Sequence, residues 1–139
     1  MGYFPAFRLS GFNALTDGEK FEVLQKLLDC LTLANVLYLR RRPRTPLLYE
    51  SGVRYVEEPS GRDEWQDIED TIARASGDCE DLACWRVAEL RVVYREKALH
   101  HITVSDIPDK SGQIVTTYHI AVQRANGLVE DPSKRLGMT

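Results

Sequence analysis

The sequence predicts an α+β domain in which N-terminal helices pack on a C-terminal antiparallel sheet. Two observations carry this expectation. Up to about residue 98, apolar residues recur at helical spacing. Beyond it the pattern switches to alternation, interrupted by turns rich in Pro, Gly and Asn. The 139 residues read as a single domain with room for a core. It comprises an irregular aromatic arm over 1–15, a mainly helical part over 16–98, and a sheet with a short tail over 99–139.

Thr16 opens the first helix, because Thr16 and Glu19 have capping-box spacing. Phe21, Leu24, Leu27, Leu28, Leu31, Ala34 and Leu37 follow at helical intervals, so this stripe is expected to be buried. Cys30, beside these leucines, reads as a small core residue. Pro43 and Pro46 end the helix. Residues 47–58 hold either a short strand or a segment along the surface, and Pro59-Ser60-Gly61 makes a turn. A shorter helix is expected from Asp63 to Ala75, with Trp65, Ile68, Ile72 and Ala75 on one side, broken by Ser76-Gly77. Asp78 then caps a third helix, and Asp81 completes a box-like pair. That helix runs from Cys79 to about Lys97 and buries Leu82, Ala83, Val87, Leu90 and Tyr94.

Three strands follow. His101 to Ile107 and Gln113 to Arg124 flank a Pro108–Gly112 turn. Ala125-Asn126-Gly127 makes a tight turn into Leu128–Asp131, and Pro132 closes the last strand. In the second strand, Ile114, Thr116, Tyr118, Ile120 and Val122 form the core face; Val115, Thr117, His119, Ala121 and Gln123 form a mixed face of small residues. His100 and His101, at the helix–strand junction, are expected at the surface.

The hydrophobic content of 43% and charged content of 28% exclude a disordered chain. A net charge of -3 argues against nucleic acid as the main partner. The basic run Arg40-Arg41-Arg42-Pro43-Arg44 reads as a solvated helix end, where cations favour the carbonyl pole. No run of eighteen apolar residues offers a membrane span, and the N-terminus lacks the form of a secretory signal. Three cysteines, an odd number, suit a reducing compartment, so the cytoplasm of the producing cell is expected.

The chemistry centres on Gly77-Asp78-Cys79-Glu80-Asp81. A cysteine at the first helical position faces unpaired backbone N–H groups that favour a thiolate and bind a developing oxyanion. The flanking carboxylates of Asp78, Glu80 and Asp81 oppose this, so a nearby imidazolium must supply most of the activation. His119 can supply it. If the turn is a three-residue loop centred on Asn126, residue 131 lies opposite 121. Asp131 is then a same-face diagonal neighbour of His119, roughly 7–8 Å away between backbones. A two-residue loop would put it on the other face. Cys79, His119 and Asp131 thus supply nucleophile, base and orienting group. Trp65 and Gln66 carry N–H groups suited to oxyanion support. Cys84, about 140° around the helix from Cys79, reads as core.

Trp65-Gln66-Asp67, a short helix, and then Gly77-Asp78-Cys79-Glu80-Asp81-Leu82-Ala83 resemble the nucleophile region of the transglutaminase-like superfamily. The similarity is to its bacterial cysteine proteinases and spans residues 60–132. It implies a papain-like, transglutaminase-like core with Cys79, His119 and Asp131 catalytic, and a cysteine peptidase or amidase acting on a protein or peptide. Some relatives that cleave bacterial adhesins bind calcium through acids beside the cysteine. Asp78, Glu80 and Asp81 match in type, but capping accounts for them without a metal. No cofactor is therefore expected, with calcium as the alternative. Leu48–Tyr55 and Glu130–Met138 resemble small bacteriophage and prophage proteins. That similarity implies a bacterial host cytoplasm or a virion, and makes phage structural proteins the other class of partner. The competing function is a non-enzymatic virion or assembly component that retains the fold.

Overall fold

The computed structural model describes residues 5, 6, 8–58 and 64–139. The expected Pro59-Ser60-Gly61 turn and Asp63 helix start lie outside them. In chain order the elements are α1 (Asp17–Arg41), β1 (Arg54–Tyr55), α2 (Ile68–Arg74), β2 (Ser76–Gly77) and α3 (Cys79–Val93). They continue with β3 (Leu99–Pro108), β4 (Ile114–Gln123), β5 (Val129–Glu130) and α4 (Pro132–Arg135). Single 3-10 turns occur at Phe12–Ala14 and Leu48–Glu50. The architecture is mixed, with helices on an antiparallel β3-β4-β5 sheet and a separate parallel β1-β2 pair.

The Thr16 capping box forms as expected: the Glu19 N–H donates to Thr16 Oγ1 at 3.2 Å, and the Thr16 N–H to Glu19 Oε1 at 2.9 Å. The buried stripe of α1 is Leu24, Leu28, Thr32, Asn35 and Leu39. Phe21 and Leu37 are exposed, and so is Cys30, which is therefore not a core residue. The stripe lies to one side of the apolar reading because two polar residues on it satisfy buried polar groups elsewhere. Asn35 Oδ1 accepts the otherwise unpaired Ile68 N–H at the start of α2 (3.0 Å), and Thr32 Oγ1 meets His100 Nε2 at 2.6 Å. His100 is accordingly buried rather than on the surface.

Asp67 caps α2 through the Asp70 N–H, so the helix starts at Ile68, and its buried residues are Ile68 and Thr71. Ile72 is exposed. Ala75, in the left-handed region at φ 57°, ends it. α3 is the central element and contributes to both apolar clusters. One cluster joins Leu24 and Leu28 to Ala83, Cys84, Val87, Leu90, Ile120 and Val122; the other joins Leu39, Leu48, Val53 and Ile68 to Leu82, Trp85 and Ala88. A helix covered on all sides buries nearly its whole circumference. It stops at Val93, short of Lys97, because Arg95 turns left-handed (φ 52°) and the Glu96 N–H folds back onto the Leu90 carbonyl at 3.0 Å. Tyr94 lies past that end and is exposed.

β3 and β4 pair along their full length, from Leu99 opposite Gln123 to Pro108 opposite Ile114. Only the base of this hairpin is core. Ile120 and Val122 are buried, whereas Ile114 and Thr116 on the same face are exposed. The helices cover the base and leave the outer half uncovered. Pro132 does not merely close β5; it opens α4, where its missing N–H costs nothing. No helix among the described residues is long and apolar enough to cross a membrane.

Candidate active site

The turn before Cys79 is built around a glycine with no room for a side chain. A Cβ on Gly77 would lie 3.0 Å from Asp81 Cβ and 3.3 Å from Thr71 Cγ2. This close approach lets Asp81 fold back over the turn. Its carboxyl accepts from the Asp78 N–H (3.1 Å), the Gln66 N–H (2.7 Å) and the Gln66 side chain (3.3 Å). Burial, and then the neighbouring Asp78, hold the Asp81 carboxyl well above the usual carboxylate range. The raised carboxyl favours holding a proton here, which would offset one of the three negative charges expected beside the cysteine.

Cys79 occupies the first position of α3, half-buried against the cluster that contains Ala83, Ile120 and Val122. Its Sγ lies 3.4 Å from Glu80 Oε2. Tyr55 stands close by: burial, and then the charges of Cys79, Glu57, Asp78 and Glu80, push its hydroxyl up to about 12.

His119 and Asp131 meet as the three-residue loop requires. Arg124 and Leu128 close the loop through the Arg124 N–H to the Leu128 carbonyl (2.8 Å), and Gly127 takes φ 87°. Val122 then faces Glu130, so residue 131 falls opposite 121. His119 Nε2 and Asp131 Oδ2 are 2.7 Å apart, with both side chains partly exposed. The same carboxylate caps α4, its Oδ1 accepting the Lys134 N–H at 3.3 Å.

Glu130, the residue before, holds β5 from the opposite side. It accepts from Arg86 Nε (2.7 Å), Arg124 Nη1 (2.8 Å) and the Tyr49 hydroxyl. Arg86 also binds the buried Glu89 (2.7 Å), which accepts the Leu48 N–H (2.8 Å). Burial alone would raise the Glu130 carboxyl, but these hydrogen bonds outweigh it and hold it low. The network was not foreseen from sequence. Its signal was Arg86 and Glu89, a charged i,i+3 pair inside a helix otherwise expected to be core.

A backbone strap ties the cysteine arm to the aspartate arm. In β1, the Arg54 N–H donates to the Ala75 carbonyl (3.1 Å), Tyr55 to Leu136 (2.9 Å) and Val56 to Gly77 (2.9 Å). The stretch before Cys79 and the stretch after Asp131 are thereby laced to one strand.

Of the two expected oxyanion groups, Trp65, like Cys79, packs against the first cluster. The Gln66 amide lies within reach of the Ser76 carbonyl (3.0 Å), Asp81 Oδ2 (3.3 Å) and Thr71 Oγ1 (3.5 Å). These contacts tie the Gln66 amide to the turn before Cys79. Three acids, Glu58, Asp78 and Asp81, have carboxylate oxygens within 4.8 Å of one another and could hold a metal ion. Glu58 stands here in place of Glu80, so the set differs from the one expected from sequence. Comparison with family models, curated proteins and solved structures finds no match to this chain.

Proposed function

We propose that the chain is a cysteine-dependent acyl-transfer hydrolase of protease or amidase type, phage-encoded, with a Cys79–His119–Asp131 triad on a transglutaminase-like core. The observation that carries the reading is the bond from His119 Nε2 to Asp131 at 2.7 Å. It fixes the ring and keeps Asp131 off Nδ1, the nitrogen this reading assigns to the thiol. In this mechanism Nδ1 takes the Cys79 proton, and the thiolate attacks the scissile carbonyl carbon. The oxyanion is held by the Cys79 N–H at the start of α3, joined by the Trp65 indole. The imidazolium, stabilised by Asp131, then gives its proton to the leaving amine. Water, deprotonated at the same nitrogen, cleaves the thioester and frees the sulfur. An uncharged Asp81 lowers the electrostatic cost of forming a thiolate in this acidic turn.

Iodoacetamide labelling with mass mapping tests this. Modification of Cys79 at pH 6.5 should outrun that of the exposed Cys30 and fall at least tenfold in His119→Ala. Equal Cys79 rates in the wild type and His119→Ala would overturn the triad.

One observation favours the second reading, a non-enzymatic virion or assembly component. The outer half of the β3–β4 hairpin exposes Ile107 and Val115 on one face and Val104 and Ile114 on the other, apolar side chains that hydrolysis does not need. Failure of particle assembly on replacing these four with Ser or Thr, with Cys79→Ala without effect, would decide for it.

A further inference from the structure

The arginines at the end of α1 form the densest run of cations in the sequence, four in the five residues from Arg40 to Arg44. Arg74, Arg86, Arg124 and Arg135 each lie within 4.0 Å of a carboxylate. Arg40, Arg41, Arg42 and Arg44 are all exposed, and none of them pairs with an acid among the described residues. Arg41, Arg42 and Arg44, with Pro43 and Thr45, line an open cavity of about 430 Å³. The Thr45 N–H and hydroxyl both donate to the Arg42 carbonyl, at 3.0 and 2.7 Å, which fixes the turn that carries these arginines. The Arg42 guanidinium stacks 4.8 Å from the centre of the Tyr38 ring.

Four cations in five residues exceed what the carbonyl pole of one helix needs, about half a charge. The net charge of -3 is no obstacle. Asp81 and Glu89 are only 1% exposed, and Glu96 and Glu130 are bound to Arg124 and Arg86. The local charge at the end of α1 is set by its four arginines, which meet no acid among the described residues.

We propose that this cavity binds the phosphates of a nucleic-acid strand, with the arginines spanning three or four successive nucleotides. This goes beyond the hydrolase reading and does not depend on it. Guanidinium forks match phosphate oxygens two at a time, which a compact ammonium does not. A flexible strand carries one charge per nucleotide and can supply anions as densely as the arginines supply cations. The Arg42 guanidinium, held over the Tyr38 ring, adds a cationic plane on which unpaired bases stack.

Fluorescence anisotropy of a labelled 12-nucleotide oligothymidine, titrated with the full chain across a salt series, tests this. The log of the affinity should fall against log salt with a slope of about -2 to -3, as for three or four neutralised phosphates on a single strand. Arg41→Gln/Arg42→Gln/Arg44→Gln should weaken binding at least tenfold. The corresponding Lys triple should keep part of it. If the Gln triple loses its helical circular dichroism, Arg44→Gln alone, beyond the end of α1, replaces it and should weaken binding about threefold. No binding at low salt, or arginine-independent binding, would overturn the site. So would a polyglutamate peptide that binds as tightly with the same arginine dependence, since that would make it a docking point for acidic protein.

Discussion

Asp131 meets His119 across a diagonal of the β4–β5 ladder, at 2.7 Å, because Glu130 is clamped on the other side of the same short strand. Successive strand residues point to opposite faces, so whatever fixes Glu130 also aims Asp131.

Removing that clamp should be costly. Glu130→Ala leaves the largely buried Arg86 with Glu89 alone and strips Arg124 of one of its two acids. Breaking a buried pair from one side costs about 3–5 kcal/mol, chiefly from the charge left behind. Urea denaturation should show a loss of this size, and a smaller one for Glu130→Gln, which keeps an acceptor oxygen. A loss below 1 kcal/mol would mean that β5 is held by other contacts.

Much of this arrangement was legible in the sequence, and what was not has a common cause. Local turn chemistry narrowed the pairing of 121 with 131 to a choice between a three- and a two-residue loop, which the structure resolves as three, and the Thr16 box marked the start of α1 correctly. Errors gathered where a polar side chain is buried by a partner far along the chain. Thr32 and Asn35 displaced the apolar stripe of α1, and His100 went inside, because each meets a group more than thirty residues away. Gln66 has amide chemistry suited to an oxyanion, but only the fold shows Ser76, Thr71 and Asp81 taking its protons. Spacing rules see neighbours three or four residues apart and are blind to these.

His100 should make the fold acid-sensitive. The Gln25 amide nitrogen donates to Nδ1 (3.2 Å), which places the ring proton on Nε2, facing Thr32 at 2.6 Å. Burial, partly opposed by Asp29 at 3.5 Å and reinforced by Arg91, pulls the imidazole down to about 4. The unfolded chain takes up this proton near pH 6.5, whereas the native state resists until about 4. Stability is therefore lost as pH falls through that window, by about 3 kcal/mol for this group. The stability difference between the wild type and His100→Gln should change by that amount between pH 7 and pH 4, measured by urea midpoints. A pH-independent difference would contradict a neutral buried ring.

Asp81 should act in the opposite sense. Its proton is retained in the native state and lost near pH 4 in the unfolded chain, so its contribution is greatest in acid and declines as pH rises above about 4. Asp81→Asn mimics the protonated acid. It should destabilise less than Asp81→Leu, which leaves the Gln66 and Asp78 N–H groups without their acceptor, at about 1–3 kcal/mol. Relative to the wild type, Asp81→Asn should gain stability steadily from pH 5 to pH 8. A relative loss over that range would show the native carboxyl to be ionised.

Cys30 and Cys84 should separate by reactivity in native protein. Cys84 is wholly buried in the α1–α3 interface, its Sγ 3.6 Å from the Leu28 carbonyl, and burial pushes it up to about 12. An aromatic disulfide reagent at pH 8 should therefore modify Cys30 promptly and Cys84 only as fast as the molecule opens globally. Adding 2 M urea should speed the Cys84 reaction in proportion to the unfolded population while leaving Cys30 almost unchanged. The Leu28→Ala variant, which cuts a cavity beside the sulfur, should raise the Cys84 rate by at least tenfold, because such a deletion costs about 2–5 kcal/mol. Native-state modification of Cys84 at the Cys30 rate would show that α1 does not stay seated on α3.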